Sequence, residues 1–98
     1  MKTFLYIGRD SEQGAELRKQ IRDQHLAHIR PHNENGRIVF AGPLRDESGS
    51  PCGSLIIIQA DDLEAARAIA HDDPYFREGV FKSIEVFETV MVFPESEA

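Results

Sequence analysis

The stretch "RDQHLAHIRPH" (22–32) places His25, His28 and His32 at spacings of three and four. On a helix those spacings stack side chains along one face. The pattern is compatible with metal capture, with proton transfer by one imidazole, or with a histidine-rich helix end. A zinc site needs three or four ligands converging tetrahedrally, and Pro31 is expected to break the helix face before His32 can join the other two. Metalloprotease helices read H-E-x-x-H, with the glutamate as base, and His25 is followed by Leu26 instead. Cys52 is the single cysteine, so neither a Cys-based zinc site nor an intrachain disulfide is available. No metal is expected, beyond the weak capture of a divalent ion that surface histidine pairs allow.

Proton transfer needs one imidazole turned inward and a carboxylate to meet it. At 100° per residue, Leu17, Ile21, Leu26 and Ile29 spread over half the helix surface, and His25 falls near the middle of that arc. It therefore faces the core, where a leucine would ordinarily sit. By periodicity alone it is a core-edge histidine satisfied by backbone or water. Its partner is sought in Asp72-Asp73, which end a second helix although carboxylates oppose the negative end of the macrodipole there. Asp73-Pro74 is also ordinary turn chemistry. An aspartate within hydrogen-bond reach would fix the imidazole tautomer and stabilise its protonated form.

The elements that must bring these groups together follow from local patterns. "KTFLYIG" (2–8) reads as a buried first strand. Asp10 or Ser11 is placed to cap a helix running to about Arg30, where Pro31 stops it. "NENG" (33–36) is a turn, and "RIVFAG" (37–42) is a strand leading into Gly42-Pro43. A polar loop (45–53) precedes "SLIIIQA" (54–60), whose unbroken apolar run predicts a central strand covered on both faces. Asp61 and Glu64 resemble a capping box for a helix over Leu63–Ala70 that stops near Asp73. "YFREGVF" (75–81) links to a long last strand (82–93), and the acidic tail follows at 94–98.

The order β-α-β-β-α-β predicts a ferredoxin-like α+β sandwich. Each helix is expected to cross to a parallel neighbouring strand on the same sheet face. The two helix C-termini then share one end of the sheet, and His25 and Asp73 become neighbours across 48 positions of sequence. The far end of the last strand is apolar on both faces, Val90 and Val92 on one and Met91 and Phe93 on the other. That predicts packing against a second copy of the chain.

Size and charge bound the function classes. The chain has 98 residues, room for a single domain with a core over about 2–93. Its net charge is −6, and its three lysines and eight arginines form no cluster, which argues against nucleic acid and anionic membrane as partners. The first apolar run is too short for a signal peptide or a membrane span, and the lone cysteine fits a reducing compartment, so a cytoplasmic protein is expected.

Taken in order, "RDQHLAHI" (22–29), "GRIVFAGPL" (36–44), "GSLIII" (53–58), "EAARAIAHDDPYFREGVF" (64–81) and "IEVFETV" (84–90) resemble the YCII-related, or YciI-like, family over about residues 2–93. The resemblance implies a dimeric α+β barrel, related in architecture to muconolactone isomerases, with an active site built on a His–Asp pair. Position by position, the histidine of R-x-x-H-L is His25 and the aspartate of D-P-Y is Asp73. His28, His32, His71 and Asp72 match no site position of the family. One branch of the family resembles dehydrochlorinases of chlorinated hydroxyquinols, and no residue here ties the chain to that branch.

These readings converge on a small cofactor-independent enzyme of lyase or isomerase type, moving a proton on a small cyclic metabolite. His25 would act as acid/base and Asp73 would orient it. Arg22, one turn before His25, would hold an anionic substrate group, or be a solvated helix residue. Ser54 would line the pocket, or be a satisfied loop hydroxyl. Tyr75 and Phe76 are read as core packing or cavity walls. The alternative is a non-catalytic dimeric module that binds a small molecule or an accessory partner, because fold alone does not decide function.

Overall fold

Alternation decides the first element. Phe4, Tyr6 and Gly8 are buried while Leu5 and Ile7 are only half-buried, the signature of a strand with one face in the core. In a computed structural model, which describes residues 1–95, the elements are β1 (Lys2–Asp10), α1 (Gly14–Glu34), β2 (Ile38–Arg45), β3 (Pro51–Ala60), α2 (Leu63–Asp72), α3 (Pro74–Arg77) and β4 (Phe81–Thr89). Residues 96–98 of the acidic tail lie outside the described residues.

The four strands form one antiparallel sheet in the order β2-β3-β1-β4. This is the ferredoxin-like α+β arrangement. The strands that each helix joins are parallel but not adjacent: β3 lies between β1 and β2, and β1 between β3 and β4. The expectation of parallel neighbours is corrected accordingly. The helices still cover one face, because Tyr6, Ile56 and Ile58 pack with Ile29 of α1 and Ala70 of α2. Phe4 and Ala60 close on Ala66 of α2. Tyr75, Val80 and Phe81 form a third cluster against Leu17 and Ile21. Each buried Ile or Phe contributes roughly 1.5–3 kcal/mol.

Several boundaries differ from the sequence expectation, each for a local reason. Neither Asp10 nor Ser11 caps α1, which begins at Gly14 after Gln13. The Asp10 carboxylate is held by Arg18, and the Ser11 hydroxyl donates to the Gly79 carbonyl. Pro31 does not stop α1, which runs on to Glu34. The carbonyl that Pro31 leaves without a donor belongs to Ala27, an exposed residue, so solvent has access there. Asp62 rather than Asp61 caps α2, accepting from the Ala65 amide at 2.8 Å. β2 runs through Gly42 and Pro43 to Arg45, an edge position where a missing N–H is tolerated. The last strand ends at Thr89 and not at residue 93. Thr89 pairs with Thr3, one residue from the start of β1, and the ladder between the two strands ends there.

One close approach marks the end of the ladder between the two inner strands. Gly53 of β3 lies over the backbone of Gly8, and a Cβ at residue 53 would collide with the Gly8 carbonyl oxygen. A side chain on Gly8 would in turn strike the Phe81 ring. Gly53→Ala is expected to destabilise the fold by about 1–3 kcal/mol, because the clash is with backbone that cannot rotate away. Urea denaturation, with the slope unchanged and the midpoint lowered, checks it.

Candidate active site

Asp73 is fully buried, a costly place for a carboxylate without partners. It has three donors. The Tyr6 hydroxyl donates to Oδ2 at 2.7 Å, the Tyr75 backbone N–H donates to Oδ1 at 2.9 Å, and His25 Nδ1 lies 2.8 Å from Oδ1. Position follows from the chain. Asp73 ends α2 because the residue before Pro74 leaves helical geometry, and the same residue caps α3 with its side chain. The carboxylate that looked misplaced at the end of α2 is thus the N-cap of the next turn.

His25 reaches it from α1 and is itself 9% exposed. Its ring stacks on Tyr75, with centroids 4.0 Å apart and planes inclined by 4°. Hydrogen bond and stacking together leave the imidazole little rotational freedom. The Asp73 carboxylate accepts from Nδ1–H, which places the lone pair of the neutral ring on Nε2. Among the described residues, no buried side-chain nitrogen or oxygen lacks a partner, and no protein group bonds Nε2. Nε2 is therefore the atom that opens to the adjoining cleft.

The cleft has a volume of about 240 Å³ between α1 and strands β2 and β3. Its polar lining is Arg18, Arg22, His25, Ser54 and Tyr75, and its apolar walls include Leu26, Ile29, Pro43 and Ile56. Arg22 is exposed at its mouth, whereas Ser54 is buried at its floor, where its hydroxyl accepts from Arg18 Nη2 at 3.0 Å. Gly42 also lines it. Phe76 is not part of this cleft and packs edge-on against His71 instead.

The remaining histidines are otherwise engaged. His28 Nε2 donates to the Ile69 carbonyl at 2.9 Å, tying α1 to α2, and His71 Nδ1 donates to Arg67 within its own helix at 2.8 Å. His32 stands edge-on to His28 at 6.1 Å. Burial, with His28 and Arg37 nearby, holds the His32 pKa below its ordinary value. Among the described residues, no three metal-ligating side chains converge. No helix among them is long and apolar enough to cross a membrane.

Sequence reasoning missed Arg18, Asp10 and Tyr6. Arg18 is 8% exposed, and its Nε and Nη2 donate to the two Asp10 carboxylate oxygens at 2.7 and 2.9 Å. Its guanidinium carbon lies 4.9 Å from the Tyr75 ring centroid and 5.8 Å from that of Phe81. The available signal was spacing, since Arg18 lies two turns before His25 and shares its face. Tyr6 was legible as a strand residue, but a buried phenol also requires a polar partner.

Comparison with known proteins places this geometry in context. The family model of the YCII-related domain matches residues 1–90. Protein YciI of Escherichia coli O6:H1 is 32% identical over 96 residues, covering 92% of this chain and 98% of that protein. Among solved structures, the 5-chloro-2-hydroxyhydroquinone dehydrochlorinase of Burkholderia phenoliruptrix AC1100, in complex with 2,5-dihydroxybenzoquinone, superposes with a TM-score of 0.76. It is 22% identical, and the match covers 87% of this chain and 90% of that one. An antibiotic biosynthesis monooxygenase superposes with a TM-score of 0.55 at 9% identity, covering 94% of this chain and 99% of its own. These two structures share the fold with this chain.

Tyr6 gives the site a measurable pH signature. Burial, reinforced by the Asp73 charge and the bond donated to it, pushes the phenol pKa far above its ordinary value near 10. The folded state holds that proton more tightly than the unfolded chain. Its contribution is therefore complete below about pH 10 and is lost as the pH rises beyond it. Tyr6→Phe is expected to lower stability near neutral pH by about 1.5–3 kcal/mol, the value of a hydrogen bond to a charged group. The same change should flatten the alkaline loss of stability. Urea titrations at a series of pH values read both effects.

Proposed function

The chain belongs to the YCII-related family, and we propose that it is a small enzyme moving a proton on a small cyclic metabolite, of lyase or isomerase type, with no resident cofactor. His25 is the acid/base in this reading, and Asp73 the residue that positions it. The observation that carries it is the buried Asp73 carboxylate, held by three donors and turned onto a histidine whose other nitrogen opens to a cleft. Such a carboxylate fixes one tautomer and stabilises the imidazolium formed when Nε2 takes a proton from substrate. The proton then returns to another atom of the substrate, or leaves with a departing group. A placed base of this kind contributes typically 10²–10⁴-fold in rate. Ser54 and Arg22 line the same cleft, and we assign both to substrate binding. The dehydrochlorinase of like fold, bound to a dihydroxybenzoquinone, is consistent with a single ring as occupant.

The functional unit in this proposal is a homodimer formed through the sheet face away from the helices. Phe40, Ile57, Leu5 and Phe87 are cross-strand neighbours that make one apolar row over all four strands. Phe40 and Phe87 are about half exposed in the single chain, and Val90, Met91, Val92 and Phe93 continue the apolar surface beyond β4. Contiguous apolar area of that kind marks an interface.

Three measurements check these statements. Long-range proton–nitrogen NMR is expected to find His25 in a single tautomer protonated at Nδ1, and Asp73→Asn is expected to mix the tautomers. With a turned-over substrate in hand, His25→Ala and Asp73→Asn lower kcat by roughly 10²–10⁴-fold while the fold is kept. Ligand-dependent stabilisation without product would instead identify a binding module. Sedimentation equilibrium is expected to give twice the chain mass, and Phe87→Glu to give the monomer. A wild-type monomer at high concentration would remove the dimer.

A further inference from the structure

From the cleft's donors we infer a substrate class: a planar, single-ring organic anion whose negatively charged oxygen is received by Arg18. The inference rests on the reading of this cleft as a substrate site, and it moves the receiver of the anionic group from exposed Arg22 to buried Arg18.

Apart from the lone pair of His25 Nε2, every polar side chain lining the cleft is able to donate. Asp10 and Asp73 stand behind it, each committed to the residue in front. Arg18 spends Nε and Nη2 on Asp10 and shares Nη2 with Ser54. Among the described residues Nη1 makes no hydrogen bond within 3.5 Å, and because no buried polar side-chain atom goes unpaired there, Nη1 keeps some exposure where Arg18 lines the cleft beside Tyr75. The Ser54 oxygen accepts from Arg18, which leaves its hydrogen uncommitted. Burial pushes the Tyr75 phenol pKa above its ordinary value, against the pull of Arg18 and Arg22, so it remains a donor. In a chain of net charge −6, a cleft that faces its ligand with guanidinium and hydroxyl donors selects an acceptor-rich ligand.

The carboxylate behind Arg18 makes it a fixed donor. Two bonds to Asp10, one to Ser54 and two aromatic faces hold the guanidinium in one orientation. A pre-oriented charge loses little entropy on binding and stabilises negative charge as it develops on the ligand. Shape completes the class. An apolar cavity of about 150 Å³ holds one benzene ring, so about 240 Å³ accommodates one ring with polar substituents.

Benzoate and benzamide, planar and of nearly the same shape, separate charge from shape. In wild-type protein, benzoate is expected to shift the Arg18 Nε–Hε and Tyr75 NMR signals and to bind at least about tenfold more tightly than benzamide, or about 1.4 kcal/mol. Arg18→Lys keeps a charge opposite Asp10 but loses the fork, and is expected to weaken benzoate about tenfold. Equal affinity for the two probes, no benzoate binding up to its solubility limit, or signals moving at Arg22 but not Arg18 would overturn the inference. The wild-type comparison stands even if Arg18→Lys fails to fold. A His25 ring with mixed tautomers, in protein that still takes benzoate on Arg18, would remove the proton-transfer reading and keep the anion site. A single tautomer beside an indifferent Arg18 would do the reverse.

Discussion

The arrangement around Asp73 depends on one requirement: a carboxylate with no solvent exposure must be supplied with donors by the protein. Three elements meet it, Tyr6 from β1, His25 from α1 and the first amide of α3. Leaving such a group unpaired costs more than any single bond returns, so the three donors act as one unit. The requirement fixes where α1 lies over the sheet and forces the chain to turn at Asp73-Pro74. It also sets Tyr75 parallel to the His25 ring. The site geometry and the packing of the helices are therefore consequences of the same buried charge.

A second pair repeats the logic one step along α1. Arg18 and Asp10 are both nearly buried, and such a pair gains little net stability, since desolvation offsets the attraction. Its value lies in orientation. In both pairs the carboxylate sits behind and the nitrogen group faces the cleft, so negative charge is kept from the ligand while the guanidinium and the imidazole are presented to it. An acidic chain thereby shows a donor-lined cleft without any cluster of basic residues in its sequence.

The two faces of the sheet divide the work. One face carries the helices and the cleft; the other, together with Val90–Phe93, carries the exposed apolar surface. β4 ends opposite Thr3, one residue from the start of β1, its one partner at the sheet edge. Residues 90–93, apolar on both faces, therefore leave the sheet without a place to bury themselves in the same chain.

Much of this was legible before any coordinates. Period-two and period-3.6 patterns, with glycine and proline as punctuation, determine the element order and so the ferredoxin-like topology. The arc of Leu17, Ile21, Leu26 and Ile29 turns His25 inward, and the topology brings Asp73 to the same end of the sheet. Local patterns failed where the deciding contact was distant. Asp10 looks like a helix cap until Arg18 takes its carboxylate. Pro31 looks like a stop until the exposed side of the helix relieves it. Arg18 looks like a surface charge until Ser54, Tyr75 and Phe81, 36 to 63 positions away, enclose it. A sequence records which faces are apolar, because burial of a whole face is a sum over many residues. Which buried charge meets which donor depends on single distances of about 3 Å, and those exist only after the sheet, the helices and the turn at Pro74 have closed on one another.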